Sequence, residues 1–282
     1  MPNVFSVDVE DWFHLLDSSE APEYERWANL ESRVRRNTEL LLAELARREV
    51  RCTFFVLGWI AEQHPELIAE IAGAGHEIAS HGYAHTLIYT QSPEAFRDDL
   101  RRASDAIVAA CGVKPRGFRA PGFSIKRQNL WAFDVLKEEG FVYDSSSFPA
   151  PRSHGGLPGT TPLPTVLDNG LVEFPISTVD LRLARWSYLG GGYLRLLPKR
   201  LVLSWAASQE KAGIPLILYI HPRDVDSGQP RLRLLPHSYF RTYVGVSSCL
   251  DKVSALLDRF EWTSFEEYLR CAPPQGQERA SA

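Results

Sequence analysis

The feature that most restricts the fold is an alternation of two patterns. Short segments rich in Val, Ile and Phe are separated by longer ones whose apolar residues recur at helical spacing. VFSVDV near the amino terminus reads as a strand, ESRVRRNTELLLAELARREV as a helix and RCTFFVLG as a buried strand. IAEQHPELIAEIAGAG reads as one helix closed by glycine, and HEIAS as the next strand. PEAFRDDLRRASDAIVAACG, GFRAPG, QNLWAFDVLKEEG and FVYDSSS continue the order, and LVEFPI, PKRLVLSWAASQEKAG, PLILYIHP and SSCLDKVSALLDRF resume it later. Repeated strand–helix–strand units predict an α/β fold with a parallel sheet.

From Phe148 to Gly170 the chain is dense in Pro and Gly, which predicts a long surface excursion of the kind that lines sites. The final segment, 271–282, reads as a frayed tail. The 282 residues carry a formal charge of -4, and basic residues cluster only as RVRR, ARR and LRR within helical patterns. No nucleic-acid partner is expected. No apolar run reaches the roughly 18 residues of a membrane span, and the first residues lack a basic then apolar leader, so the expectation is a cytoplasmic protein. Cysteines 52, 111, 249 and 271 form no C-x-x-C and are expected to be free thiols.

The stretch IASHGYAH sets His81 and His85 four apart in what reads as a loop after a strand. Alone, the pair could be two polar loop residues. In parallel α/β architectures, however, functional side chains gather at the carboxyl ends of strands. Asp8, Glu10 and Asp11 follow the first strand, His81 and His85 the third, Arg119 the fourth, Asp144 the fifth, and His221 follows LILYI. Ionisable groups at so many apolar strand ends are costly unless they pair or bind something. Two neutral imidazoles and one carboxylate make a catalytic zinc-type site with an open position for water. A second carboxylate could take a proton from that water and another imidazole could protonate a leaving amine, which is amide or ester hydrolysis.

On these residues the chain resembles the polysaccharide deacetylases, carbohydrate esterase family 4, with their nodulation-protein homology domain. FSVDVEDW resembles the first family motif, SHGYAH its H-x-x-x-H motif, RAPG its Arg-x-Pro motif, YDSS its fourth and LYIHP its fifth, over residues 3 to about 223. GGGYLRLLP and HPRDVDSGQPR further resemble a subgroup associated with bacterial exopolysaccharide and exosortase loci. The resemblance implies a distorted (β/α)7 barrel, with one catalytic domain over residues 1–270, its core at 3–223 and a family-specific extension at 224–270.

The resemblance also implies roles. Asp8 would be the catalytic base, His81 and His85 metal ligands, Arg119 the partner of the base and His221 the general acid, with Asp144 orienting or tuning His221. The family's usual pair of adjacent aspartates is replaced here by Asp-Val-Glu-Asp. Glu10, two residues after Asp8, shares its strand face and is favoured as third ligand; Asp11 is the alternative if the strand has already ended. His14, His64, His76, His154 and His237 receive no partner and read as surface or core residues, with His154 or His237 reaching substrate as the other possibility. The implied activity is a metal-dependent N-deacetylase using zinc, or cobalt, nickel or manganese. Its substrate would be an N-acetylated glycan or lipid-linked oligosaccharide of an exopolysaccharide or its precursor. An allantoinase-like hydrolase of a small C–N bond and a catalytically degenerate carbohydrate-binding protein are the alternatives.

Overall fold

The computed structural model describes residues 2–16, 21–150, 154–181, 184–272 and 274. Most of the expected tail therefore lies outside the described residues, as does 151–153 of the Pro/Gly-rich excursion. In chain order the strands are β1 (Asn3–Val9), β2 (Thr53–Val56), β3 (Glu77–Ser80), β4 (Gly117–Phe118), β5 (Tyr143–Asp144), β6 (Thr165–Val166), β7 (Val172–Glu173), β8 (Thr178–Leu181), β9 (Ala184–Ser187), β10 (Ile217–Ile220) and β11 (Trp262–Thr263). The helices are α1 (Val34–Ala46), α2 (Gly58–Gln63), α3 (Pro65–Gly73), α4 (Pro93–Cys111), α5 (Trp131–Glu138), α6 (Gly191–Leu196), α7 (Lys199–Lys211), α8 (Pro236–Tyr243), α9 (Cys249–Arg259) and α10 (Phe265–Cys271).

Seven strands run parallel in the order β10-β1-β2-β3-β4-β5-β7 and curl into a half-barrel, in line with the expected distorted barrel. β6 lies antiparallel on β7, and β11 pairs with the start of β1. The gap between β7 and β10 is bridged by a side chain: Ser177 Oγ accepts the Ile217 N–H at 2.8 Å. Strand alternation explains the layering. Phe5, Val7 and Val9 of β1, with Phe54, Val56, Ile78, Leu218 and Ile220, face the helices, whereas Val4, Phe55, Ala79, Ile217 and Tyr219 face the barrel interior. Ser6 and Asp8 alternate with that outer set, so their side chains point inward with Val4.

The interior is filled from its amino end by α10. Phe265 stacks on Tyr143 at 5.0 Å and packs edge-on against Phe55 and Phe174, while its N–H is held by Thr53 Oγ1 at the start of β2. The carboxyl end stays open for polar groups. Two local expectations change. The segment 60–75 is two helices, because Pro65 cannot continue α2 and His64 before it leaves helical geometry at φ −135°, ψ 54°. The hairpin β8–β9 and helices α6 and α8 have no strong periodic signature in the sequence; α6 and α8 line one side of the cavity at the open end.

Candidate active site and metal centre

β1 delivers the first part of the site. The Asp8 carboxylate ends the inward row of the strand, and Arg119, fully buried after β4, donates to its Oδ1 from Nη1 at 2.6 Å. The same guanidinium donates to Ser6 Oγ at 2.8 Å, to Ser145 Oγ at 3.0 Å and to the Ser145 carbonyl at 3.1 Å, and it lies 4.2 Å over the Phe55 ring. So many partners fix the arginine, and the arginine fixes Asp8. The other oxygen, Asp8 Oδ2, faces the cavity, 3.9 Å from His221 Nε2.

Beyond Asp8 the chain supplies Glu10, whose Oε1 sits 3.2 Å from His81 Nε2 and 2.9 Å from His85 Nε2. His81 Nδ1 is 2.6 Å from the Arg119 carbonyl, which can only accept, so the proton is on Nδ1 and the Nε2 lone pair faces Glu10. His85 has a positive φ of 56°, placing its ring beside that of His81 at 5.3 Å between centroids. Its Nε2 is buried and makes no hydrogen bond, despite its closeness to Glu10. Burial alone would raise the Glu10 carboxyl, but His85, His221 and His81 outweigh it and hold it well below the usual carboxylate range. His85, conversely, is pushed down by burial, and thus favours the neutral, ligating form.

This donor set fits a divalent metal. Glu10, His81 and His85 offer three buried donors within 4.8 Å of one another. Tetrahedral zinc with ligand bonds of about 2.0–2.1 Å spaces its donors by about 3.3 Å, near the Glu10–histidine separations here. A second trio, Asp8, Glu10 and His221, also converges. It fits less well, since Asp8 is committed to Arg119 and His221 favours the protonated form. In His221, burial opposes the proton but Glu10 and Asp224 override it and raise the imidazole.

Asp224 is the residue the sequence reading missed. Its Oδ2 accepts from His221 Nδ1 and from the His221 backbone N–H, each at 2.9 Å, in a capping box on the turn Pro222–Val225. Arg195 Nε pairs with its other oxygen at 2.9 Å, and Arg195 with His221 holds Asp224 ionised against its burial. The signal was present in H-P-R-D, where a proline opens a turn and an acid stands three residues after the histidine.

Two assigned residues go elsewhere. Asp144 does not orient His221: its carboxylate accepts from the Ser146 N–H at 2.8 Å and Ser146 Oγ at 2.7 Å, and it neighbours Glu173, which burial and Asp144 push well up. Asp11 turns away from His81 and His85, although β1 ends at Val9. Its Oδ2 accepts Ser32 Oγ at 2.7 Å and the N–H groups of Arg33 at 2.9 Å and Val34 at 3.2 Å, closing the amino end of α1. Of the unassigned histidines, His14, His154 and His237 line the cavity, whereas His64 and His76 do not. The cavity of about 580 Å³ opens between the β1, β3 and β10 loops and the segment carrying α6 and α8, including Tyr193 and Phe240.

Comparison with known proteins agrees with this geometry. Residues 27–141 match the polysaccharide deacetylase family, and residues 145–270 match a domain of unknown function. The chain is 33% identical over 99 residues to a chitooligosaccharide deacetylase of Rhizobium leguminosarum bv. trifolii, covering 35% of this chain and 43% of the relative. It is 30% identical over 96 residues to a peptidoglycan-N-acetylglucosamine deacetylase of Bacillus cereus, covering 34% and 35%. These matches span less than half of each relative. In fold, a solved Mycobacterium smegmatis structure described as a polysaccharide deacetylase aligns with TM-score 0.66 at 24% identity, over 99% of this chain and 94% of that one. A carbohydrate esterase family 4 pseudoenzyme from Bacillus anthracis aligns at 0.51 and 14% identity, over 94% and 64%. Residues 27–141 thus carry the sequence pattern of the polysaccharide deacetylase family, and the chain shares its fold with a solved structure described by that name.

Proposed function

We propose that the protein is a metal-dependent N-deacetylase that removes acetyl groups from N-acetylated amino sugars of a bacterial exopolysaccharide or its precursor, with residues 1–270 acting as one catalytic unit. The observation that carries this reading is the meeting of the Glu10–His81–His85 donor set with Asp8 Oδ2 and His221 Nε2 at the mouth of one cavity. Glu10, His81 and His85 would hold the metal, with zinc the best match to two imidazoles and a carboxylate. When bound, it supplies an activated water and polarises the acetamide carbonyl.

The chain's own groups do the proton work. Asp8 accepts the proton of the attacking water at Oδ2, its other oxygen being held by Arg119. His221 donates from Nε2 to the sugar nitrogen as the C–N bond breaks, leaving acetate and a free amine. Arg119 and Asp224 position the two without touching substrate. The fold does not by itself separate an enzyme from a binding protein, since a pseudoenzyme shares it; the complete set of donor, base and acid favours the enzyme. Relatives named for chitooligosaccharides and for peptidoglycan N-acetylglucosamine support an N-acetylated amino sugar as substrate. No helix among the described residues is long and apolar enough to cross a membrane. We assign the protein to the reducing cytoplasm, a reading supported by its four unpaired cysteines. Acetate release from N-acetylglucosamine oligomers before chelation, after it, and after zinc is restored tests the reading; full activity in metal-free protein would reject it.

A further inference from the structure

Most polar groups of the catalytic cavity are occupied: Arg119 by Asp8 and the serines, Arg195 by Asp224 and backbone carbonyls, His81 and His221 as described. Two are not. His14, after β1, is buried, and its Nδ1 accepts the Asp11 N–H at 2.9 Å. The ring proton is therefore on Nε2, so this nitrogen cannot ligate a metal while the ring is neutral; it is a donor. It is also buried without a partner, on a ring wedged against Phe13, Trp27 and Trp59 at centroid distances of 4.6, 4.3 and 5.6 Å. The second is Arg223, two residues past His221, which also lines the cavity and whose Nε is buried and unpartnered. Its side chain makes no hydrogen bond or ion pair among the described residues, and its charge acts on both His14 and His221. Among the described residues the acids lining the cavity are Asp8 and Glu10, both already committed.

We propose that His14 Nε2–H and the Arg223 guanidinium form a subsite for an anionic substituent, a carboxylate or phosphoryl group, carried by the amino sugar beside the scissile acetamide. This rests on the deacetylase reading of the same site. A neutral hydroxyl would satisfy His14 but leave the arginine's charge unanswered, whereas an oxyanion takes the planar fork and the imidazole donor together. The subsite selects acidic amino sugars over neutral chitin-like chains.

The test compares the metal-loaded full chain with its Arg223→Gln and His14→Asn variants on three substrates: neutral N-acetylglucosamine oligomers, oligomers with a neighbouring uronate, and N-acetylglucosamine 1-phosphate. We expect kcat/KM for at least one anionic substrate to exceed the neutral one by about tenfold or more, and Arg223→Gln to reduce that preference at least tenfold. Preference for the uronate identifies a ring carboxylate as the natural group, and preference for the 1-phosphate identifies a phosphoryl group. Equal wild-type rates on all three, or an Arg223→Gln loss shared equally by neutral and anionic substrates, would overturn the subsite. Arg223 is only half-buried, so its variant decides the matter even if His14→Asn fails to fold. If no substrate releases acetate, the deacetylase reading fails, and calorimetric binding of N-acetylglucosamine 1-phosphate decides the subsite separately. Tenfold weaker binding by Arg223→Gln supports it, and unchanged affinity rejects it.

Discussion

Asp224 grips His221 at two points, the ring Nδ1 and the backbone N–H, each at 2.9 Å, so the imidazole is oriented and its proton favoured by one carboxylate. Asp224→Asn keeps the shape and removes the charge. Because Asp224 raises the His221 pKa, its loss lowers it, and an acid that must be protonated then fails at lower pH. The alkaline limb of the pH–rate profile should shift to lower pH, with kcat/KM down about 10- to 100-fold. An unmoved limb would show that Asp224 only shapes the turn.

Glu10 and Asp11 should separate cleanly. Glu10→Ala, His81→Ala and His85→Ala should each lose bound metal, measured by elemental analysis, while Asp11→Ala should retain it. Asp11→Ala should instead destabilise the fold by about 1–2 kcal/mol in denaturant titration, since it uncaps the amino end of α1. Metal loss in Asp11→Ala with retention in Glu10→Ala would reverse the assignment.

Base and acid differ in what rescues them. Asp8→Asn and His221→Ala should both keep metal and lose about 10²- to 10⁴-fold in rate on an N-acetyl sugar. An aryl acetate needs no protonation of its leaving group, so it should restore much of the rate to His221→Ala alone. Restoration in Asp8→Asn instead would mean that the roles are exchanged.

Acid lability should have one source far from the site. His76 is buried against Phe54, accepts the Cys52 N–H at Nδ1, and is held by burial, with Arg51 adding to it, at about 4 instead of 6.5. Above pH 6.5 neither state binds the proton and the residue costs nothing. As pH falls from 6.5 to 4 only the unfolded chain takes it up, so stability drops, by up to about 3 kcal/mol. His76→Asn keeps an acceptor for Cys52 and should flatten the decline of the urea midpoint over this window by about one proton; an unchanged slope would exclude His76 as the source.

The sequence was most legible where one physical rule dominated. Alternating apolar periods placed β1, β2, β3 and β10, and the strand-end rule then brought Asp8, Glu10, His81, His85, Arg119 and His221 together from four strand ends. It was least legible where a long-range partner chose between equivalent local options. Asp144 stood at a strand end like the others, but Ser146 and Glu173 claimed it. Asp224 went unread because its Arg195 partner comes from α6, a helix with no strong periodic signature. His14 read as a surface or core residue, and burial makes it the latter; only the Asp11 N–H on Nδ1 reveals that its other nitrogen carries the ring proton.

Glu10 and Asp11 share a peptide bond, yet one carboxylate faces the histidines and the next one closes a helix on the other side of the strand. Along an extended chain each step reverses direction, so these duties depend on the reading of a single position. Loss of one residue between Asp8 and Glu10 would bring Asp11 round to the histidines and leave α1 uncapped, while every motif of the family stayed recognisable to the eye. A gene carrying such a deletion would still resemble a deacetylase along nearly all its length and would encode a protein whose histidines face a shorter carboxylate and whose fold has lost part of its stability.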